Sequence, residues 1–455
     1  MTNKHLDFGE EISKAEIRKS ILTFSGPIIA ELMLMSMLAM VNLSMVGHLG
    51  AYALSSVGLT NQPVFISLAV FQSFNIGATA LISRFIGSKE DLEVKAVVIQ
   101  TMLISVILGS ILTLIGFIFA RPIVVFLGAQ KDTVRTATMY MKYMALGMFF
   151  QSIPTAVTSI LRGAGESKVP MQYNIISNII NAFAGFILIY GFWFIPSMGL
   201  QGAAIATTFA KMVTCFMSIH ALLHIKLPVA ISFRDNFRFD FKVIKRIMNI
   251  GISAAGEQLA FRIGFLLYSK IVADLGTVPF AAHQVCLSIT QFVSNAINGL
   301  STAASSFTGR SLGAKNPQLA EEYCHQINRI GLIISLSIGS LYFLAGYPIA
   351  RIYTSDPAVI SLVIMVLNIA ILITVPQNYL SIVAGCLRGA GDTRWPLVSA
   401  IIGMVVARVS LAALFVNVFH WGLGGAWFAA VLDQSIRSVL IYYRFKTGKW
   451  KQITI

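Results

Sequence analysis

Three acidic side chains stand where acids are costly. Of the 19 Asp and Glu residues in the chain, Glu31, Glu257 and Asp433 fall well inside long apolar segments. A charge at the centre of a bilayer costs at least about 2.5–3.5 kcal/mol, so each is a candidate for chemistry. Asp433 has Arg437 at i+4, a spacing that puts both on one helix face and predicts a structural ion pair, with Arg408 as a further partner. Glu31 and Glu257 have no base one turn away on their own face; Arg262 is five positions from Glu257 and points elsewhere. A carboxyl in a low-dielectric cavity can titrate near neutrality. It could carry a proton, bind Na⁺ or balance a cationic substrate. The plainer alternative is a protonated acid hydrogen-bonded between helices.

Helical geometry extends the two carboxyl sites. At about 100° per residue, eleven residues return to within about 20° of the starting direction. Asn42 therefore shares a face with Glu31, alongside Met35 and Leu38. Tyr268 shares a face with Glu257, alongside Phe261 and Gly264. Asn174, Asn178 and Asn181 form a second polar stripe, which either lines a cavity or joins helices. His283 and Gln284 are polar positions near the start of another apolar segment. His283 could titrate, although a hydrogen-bonded histidine between helices is the simpler reading. The 18 Met and 31 Phe offer soft and aromatic surface suited to bulky apolar cations, while any one of them is more simply packing or lipid contact.

Enzyme signatures are missing. No glycine-rich phosphate loop precedes a Lys-Ser/Thr pair, and no GxSxG, HExxH or metal-ligand spacing occurs. No cofactor is expected, and any energy input must come from an ion gradient. Cys215, Cys286, Cys324 and Cys386 are widely spaced and read as reduced thiols.

The elements that must position these residues are membrane spans. The chain of 455 residues is 56% hydrophobic and only 12% charged, half the charge of a soluble domain. Apolar runs near the length a bilayer requires predict twelve spans, at about 20–46, 53–82, 94–120, 134–161, 170–193, 200–223, 247–273, 279–307, 327–348, 358–386, 396–419 and 422–443. The fold class is thus an all-α integral membrane protein. The net charge of +15 reflects loop bias rather than nucleic-acid binding. By position, 24 of the 34 Lys and Arg lie in the N-terminal leader, the tail or the loops after even-numbered spans, counting Lys95 and Arg329 at the span edges with their loops. That bias predicts both termini in the cytoplasm. The leader, with Lys4, Asp7, Glu10, Glu11, Lys14, Glu16, Arg18 and Lys19, is too charged for a signal peptide.

The chain also repeats itself. Leu161–Ser167 (LRGAGES) recurs 226 residues later as Leu387–Thr393 (LRGAGDT). The same offset lays Glu31 on Glu257, and Arg84, Gly87 and Lys89 on Arg310, Gly313 and Lys315. Gly199-Leu-Gln-Gly202 matches Gly422-Leu-Gly-Gly425 after a three-residue deletion. Six spans per half is an even number, so the halves share one orientation as parallel repeats. The expected organisation is a cytoplasmic leader (1–19), an N-terminal six-helix lobe (20–225), a polar connector (226–245), a C-terminal six-helix lobe (246–445) and a cytoplasmic tail (446–455). Two similar lobes related by a pseudo-two-fold axis fit alternating-access transport.

At these residues the chain resembles the multidrug and toxic compound extrusion transporters, the MATE family. The resemblance rests on Met45-Val-Gly-His-Leu-Gly50, Ala281-Ala-His-Gln284, both Leu-Arg-Gly-Ala-Gly copies and Arg444-Phe-Lys-Thr-Gly-Lys-Trp450, and it spans nearly the whole length. It implies a monomeric antiporter of the bacterial cytoplasmic membrane, built as two six-helix lobes, that exports organic cations and drugs in exchange for Na⁺ or H⁺. Glu257 falls on the family's seventh-span glutamate, a cation or proton site. The family's first-span acid falls on Asn42, and Asn181 matches a fifth-span asparagine. An aspartate expected one turn later falls on Gly185, and a tenth-span aspartate of some members falls on Gln377. These departures shift the expected coupling role to Glu257.

Two other readings have stated marks. A flippase for lipid-linked saccharides, from the same superfamily, would handle pyrophosphate with a basic cleft, for which Arg262 and Lys211 are the candidates. A membrane-embedded lipid enzyme would need a paired catalytic constellation, and none is visible.

Overall fold

The computed structural model describes residues 13–49, 51–129, 133–192, 196–232, 235, 237–354 and 356–453. The first twelve residues of the charged leader, with Lys4 to Glu11, lie outside that set. Twelve long helices fall on the twelve expected spans. They are α1 (Lys14–Gly47), α2 (Ala51–Gly87), α3 (Asp91–Ile118), α4 (Val134–Gly163), α5 (Lys168–Tyr190), α6 (Gly199–His224), α7 (Phe241–Ala273), α8 (Thr277–Gly313), α9 (Pro317–Tyr353), α10 (Pro357–Gly389), α11 (Arg394–Val418) and α12 (Gly422–Lys446). A short helix, Ala120–Phe126, joins α3 to α4. At about 1.5 Å per residue, even the 23 residues of α5 exceed the roughly 30 Å of a hydrocarbon core. Among the described residues, ten helices are long and apolar enough to cross a membrane by length and composition. The other two are α8 and α12. Backbone groups satisfied inside each helix are what permit such segments in lipid.

Local signals explain the helix ends. Asn316 caps α9 by accepting the Leu319 N–H at 3.0 Å, and Asp356 caps α10 by accepting that of Ala358 at 2.9 Å. Each is followed by proline, whose missing N–H costs nothing in a first turn. Each Leu-Arg-Gly-Ala-Gly copy is a helix stop. Its final glycine, Gly165 or Gly391, takes a left-handed φ of 82° or 87°. The next residue then turns back, Glu166 N–H to Leu161 O and Asp392 N–H to Leu387 O, each at 2.8 Å, the geometry that closes a helix on a left-handed residue.

The helices form two compact units. One takes α1 through Ile29, Ser83–Lys89 of α2 and the chain from Asn249 onward. Its centre is α10, packed against α8, α9 and α12, with Tyr268, Ile289, Val363, Leu367 and Trp427 in its core. The other takes Ala30–Ile82 and Glu90–Met248. There α4 packs on α3 and α6, and α5 packs on α6, around Val64, Met141, Met144, Ile189 and Leu200. Helix α11 is wound more loosely than the rest, with π-helical turns at Ile401–Arg408 and Leu414–Val418, a feature often found at functional positions.

Candidate functional site

In the C-terminal unit, Glu257 sits on α7 with 2% of its surface exposed. Arg388, on the last turn of α10, donates from Nη2 to Glu257 Oε1 at 2.6 Å and from Nε to Oε2 at 3.3 Å. The guanidinium fork matches the carboxylate edge, the strong geometry for such a pair. The stripe read from helical periodicity is real. Phe261 lies under the Arg437 guanidinium at 4.4 Å, and Tyr268 under that of Arg408 at 5.6 Å. Gly264 between them leaves no room for a side chain against the backbone of Met404 on α11. The stripe therefore faces the interior of its own bundle.

Asp433 is fully buried on α12, and its pairing corrects the expectation of an i,i+4 bridge to Arg437. Its Oδ2 accepts from Arg408 Nε at 2.9 Å and Nη2 at 2.8 Å. The physical reason lies in α11. Gly403, in the π-helical stretch, has no side chain, and Asp433 Oδ1 and the Arg437 methylenes occupy the space a Cβ would need. Arg408 approaches Asp433 across the helix interface, while Arg437 extends past it to Phe261. Among the described residues, Arg437 Nε and Asp433 Oδ1 have no hydrogen-bond partner. Arg437 lies within electrostatic reach of Asp433, Glu257, Arg408 and Arg388. Three arginines thus face two carboxylates inside this unit.

The remaining candidates of the unit are placed as follows. His283 is fully buried; its Nδ1 accepts the Trp427 indole N–H at 3.1 Å, and its ring meets Tyr268 edge-on at 5.6 Å. It is a histidine held between helices, inside an aromatic nest. Gln284, beside it, is exposed. Gln377 donates from Nε2 to Ser294 Oγ at 3.0 Å and ties α10 to α8.

In the other unit, Glu31 is 3% exposed on α1. Arg162, on the last turn of α4, donates from Nη2 to its Oε2 at 2.8 Å, and Asn174 of α5 donates to its Oε1 at 2.9 Å. Asn178 donates to the Asn174 carbonyl at 2.7 Å. Asn181 accepts from Thr207 of α6 at 3.3 Å. One member of the asparagine stripe therefore serves the acid, one its own helix and one a neighbouring helix. Asn42 lies half-buried further along α1.

The two acids are thus held by the two copies of one motif. In each half 131 residues separate acid and arginine. Sequence reasoning found both the acids and the motif and did not join them: the equal separation follows from the repeat itself and does not mark a contact. The halves differ in their second partner. The 226-residue offset lays Asn174 on Ala400, and the 223-residue offset that follows the three-residue deletion lays Asp433 and Arg437 on Ala210 and Thr214, so the second ion pair belongs to the C-terminal half.

Known proteins share this plan. The MatE family model matches residues 27–187 and again 254–414, two copies at the repeat spacing. A probable multidrug resistance protein NorM of Thermotoga maritima is 28% identical over 96% of this chain and 94% of its own. A probable multidrug resistance protein YoeA of Bacillus subtilis is 26% identical over 97% and 96%. Among solved structures, an outward-facing multidrug resistance MATE family transporter of the MOP superfamily superposes with a TM-score of 0.89 at 23% identity, over 98% of this chain and all of that one. A MOP superfamily transporter from Pyrococcus furiosus, described by a reversed polarity of its binding pocket, gives 0.88 at 23% over the same shares. Duplicated six-helix halves, paired carboxylates and a double family match over most of the length lead to one conclusion: this chain belongs to the MatE family of multi-pass membrane transporters.

Proposed function

We propose that the protein is a secondary antiporter of the bacterial cytoplasmic membrane, with both termini cytoplasmic, that exports cationic and aromatic organic compounds in exchange for Na⁺ or H⁺. Glu257 is its main coupling carboxylate, and Glu31 is the counterpart in the other half. The observation that carries this reading is the burial of Glu257 on an interior helix face, hydrogen-bonded to Arg388. Relatives over nearly the whole length bear the name of probable multidrug resistance proteins, which supports the substrate class. A coupling ion and an organic cation that both require one negative charge exclude each other, and that exclusion is a coupling free energy between gradients. Alternating access converts it into exchange.

The test is dye efflux in proteoliposomes with a pH gradient and a Na⁺ gradient imposed separately. One gradient drives ethidium movement, and Glu257→Gln abolishes the drive while the protein stays folded. Wild-type driven efflux by that variant rejects the assignment.

A second reading has its own observation. The surplus of arginine over carboxylate in the C-terminal unit, Arg388, Arg408 and Arg437 against Glu257 and Asp433, favours cargo that bears an acidic group, as a lipid-linked saccharide flippase would require. Loss of binding of a pyrophosphate lipid in Arg437→Gln, with dye transport retained, supports that alternative.

A further inference from the structure

The two Leu-Arg-Gly-Ala-Gly copies do more than end helices. A carboxylate at 2–3% exposure needs a partner or it protonates, and in both halves that partner is an arginine from the same motif position. We infer that Arg388, with Arg162 as its counterpart, is the resident cation of each carboxylate: it occupies the place the coupling ion takes, and it withdraws when that ion binds. The inference rests on the reading of Glu257 as the coupling carboxylate.

Four features carry it. Arg388 engages both oxygens of Glu257, so a Na⁺ or a proton at either oxygen competes with a donor already there. A guanidinium stays charged at any physiological pH, so it acts as a fixed positive competitor and not as a second titrating group. The pair is uneven in access: the side chain of Arg388 is 22% exposed against 3% for Glu257, and Arg162 is 16% exposed against 4% for Glu31. Each arginine is thus the more accessible member of its pair. Finally, each lies in a last helical turn just before a left-handed glycine, so both arginines stand at the ends of their helices. Arg437 of α12 also lies within electrostatic reach of Glu257, and Asp433 and Arg408 lie within reach of Arg437 in turn. Facing Glu31 are Tyr173 and Asn174 from α5. Arg437 is near enough to hold the field of Glu257 once Arg388 has left, and the N-terminal site has Asn174 for the same purpose.

The experiment has two arms. In proteoliposomes, Arg388→Gln is expected to keep transport while the concentration of the coupling ion, Na⁺ or H⁺, that gives half-maximal rate falls by roughly tenfold or more, because the resident competitor is gone. Arg388→Lys, which keeps the charge and loses the two-pronged contact, falls between wild type and Arg388→Gln. A folded Arg388→Gln with unaltered pH and Na⁺ dependence overturns the inference. The second arm uses the wild-type protein, so a variant that fails to fold does not leave the matter open. Phenylglyoxal labelling of Arg388, normalised to the exposed Arg351 and read by mass spectrometry, rises severalfold in saturating coupling ion. Equal labelling with and without that ion overturns it. If Glu257→Gln keeps wild-type coupling, the antiport reading falls. If that variant loses coupling while Arg388→Gln leaves the half-maximal ion concentration unmoved and Arg388 labelling does not change, only the resident-cation inference falls.

Discussion

Arg388 meets Glu257 at 2.6 Å across 131 residues of chain, and Arg162 meets Glu31 at 2.8 Å across the same number. The equal separation makes one ancestral pair, kept twice, the economical account of both sites. The differences lie in what surrounds each pair: a neutral amide, Asn174, beside Glu31, and a second ion pair beside Glu257.

That asymmetry is measurable. Asn174→Ala removes one of the two donors that hold Glu31. A buried acceptor left short of a partner costs about 1–3 kcal/mol, so unfolding in detergent shifts by that amount. Ala400→Asn, at the matching place of the repeat, adds no such stabilisation because each oxygen of Glu257 already has a donor in Arg388. An Asn174→Ala variant as stable as wild type contradicts the geometry.

Much of this was readable from the residues. Apolar runs and the Lys/Arg bias predict twelve spans, and twelve long helices are found. The Glu257, Phe261, Gly264 and Tyr268 stripe followed from the turn angle alone, because a helix carries its own periodicity. Pairing between helices was not readable. Arg388 is remote from Glu257 in the chain, and only the folded arrangement of α7 and α10 brings them together. Asp433 took Arg408 over the nearer Arg437 because of loosened turns in α11 around Gly403, and single-sequence patterns do not announce π-helical turns. The tail, expected only as a cytoplasmic extension, folds back: Trp450 is fully buried and stacks on Phe445 at 5.0 Å, and Lys451 bonds Glu321 at 2.5 Å.

The Arg408–Asp433 pair yields a stability prediction. Asp433 is fully buried and Arg408 supplies two nitrogens to one of its oxygens. Removing one partner of a buried pair strands the other charge and costs about 3–5 kcal/mol. Arg408→Gln is expected to lose that much in detergent unfolding, and adding Asp433→Asn recovers most of it. Should Arg408→Gln unfold within 1 kcal/mol of wild type (about fivefold in the equilibrium constant), Arg437 has taken over the carboxylate.

The ends of α2 and α8 make a second packing prediction. A Cβ on Gly87 would strike the Arg310 carbonyl oxygen, and one on Gly313 would strike that of Arg84. Neither carbonyl can move without bending its helix. Gly87→Ala and Gly313→Ala each lose about 1–3 kcal/mol by overpacking. Gly58→Ala, with nothing within 4 Å of its added methyl, is neutral or gains up to about 1 kcal/mol from helix propensity. Thermal unfolding of the three variants side by side separates a steric cost from a general intolerance of glycine replacement.

The connector supplies a pH prediction outside the spans. Asp235 accepts from Lys95 of α3 at 2.6 Å and from the Ser232 N–H at 2.7 Å. The Lys95 ammonium, and after it the Ser232 amide, hold its carboxyl below the usual carboxylate range. A carboxyl depressed in the folded state stabilises the docked connector above its free value near 3.9, and that contribution is lost as pH falls through the lower folded value. Amide exchange in the connector is therefore expected to be slow and flat from pH 7 to 5 and to accelerate below about pH 4, beyond the intrinsic pH effect. Asp235→Asn and Lys95→Met remove the ion pair at every pH, so both exchange faster at neutral pH and lose the acid step. An acid step that survives in Asp235→Asn would assign it to another carboxyl, with Glu93, paired to Arg246 at 3.5 Å on the same surface, as the next to replace.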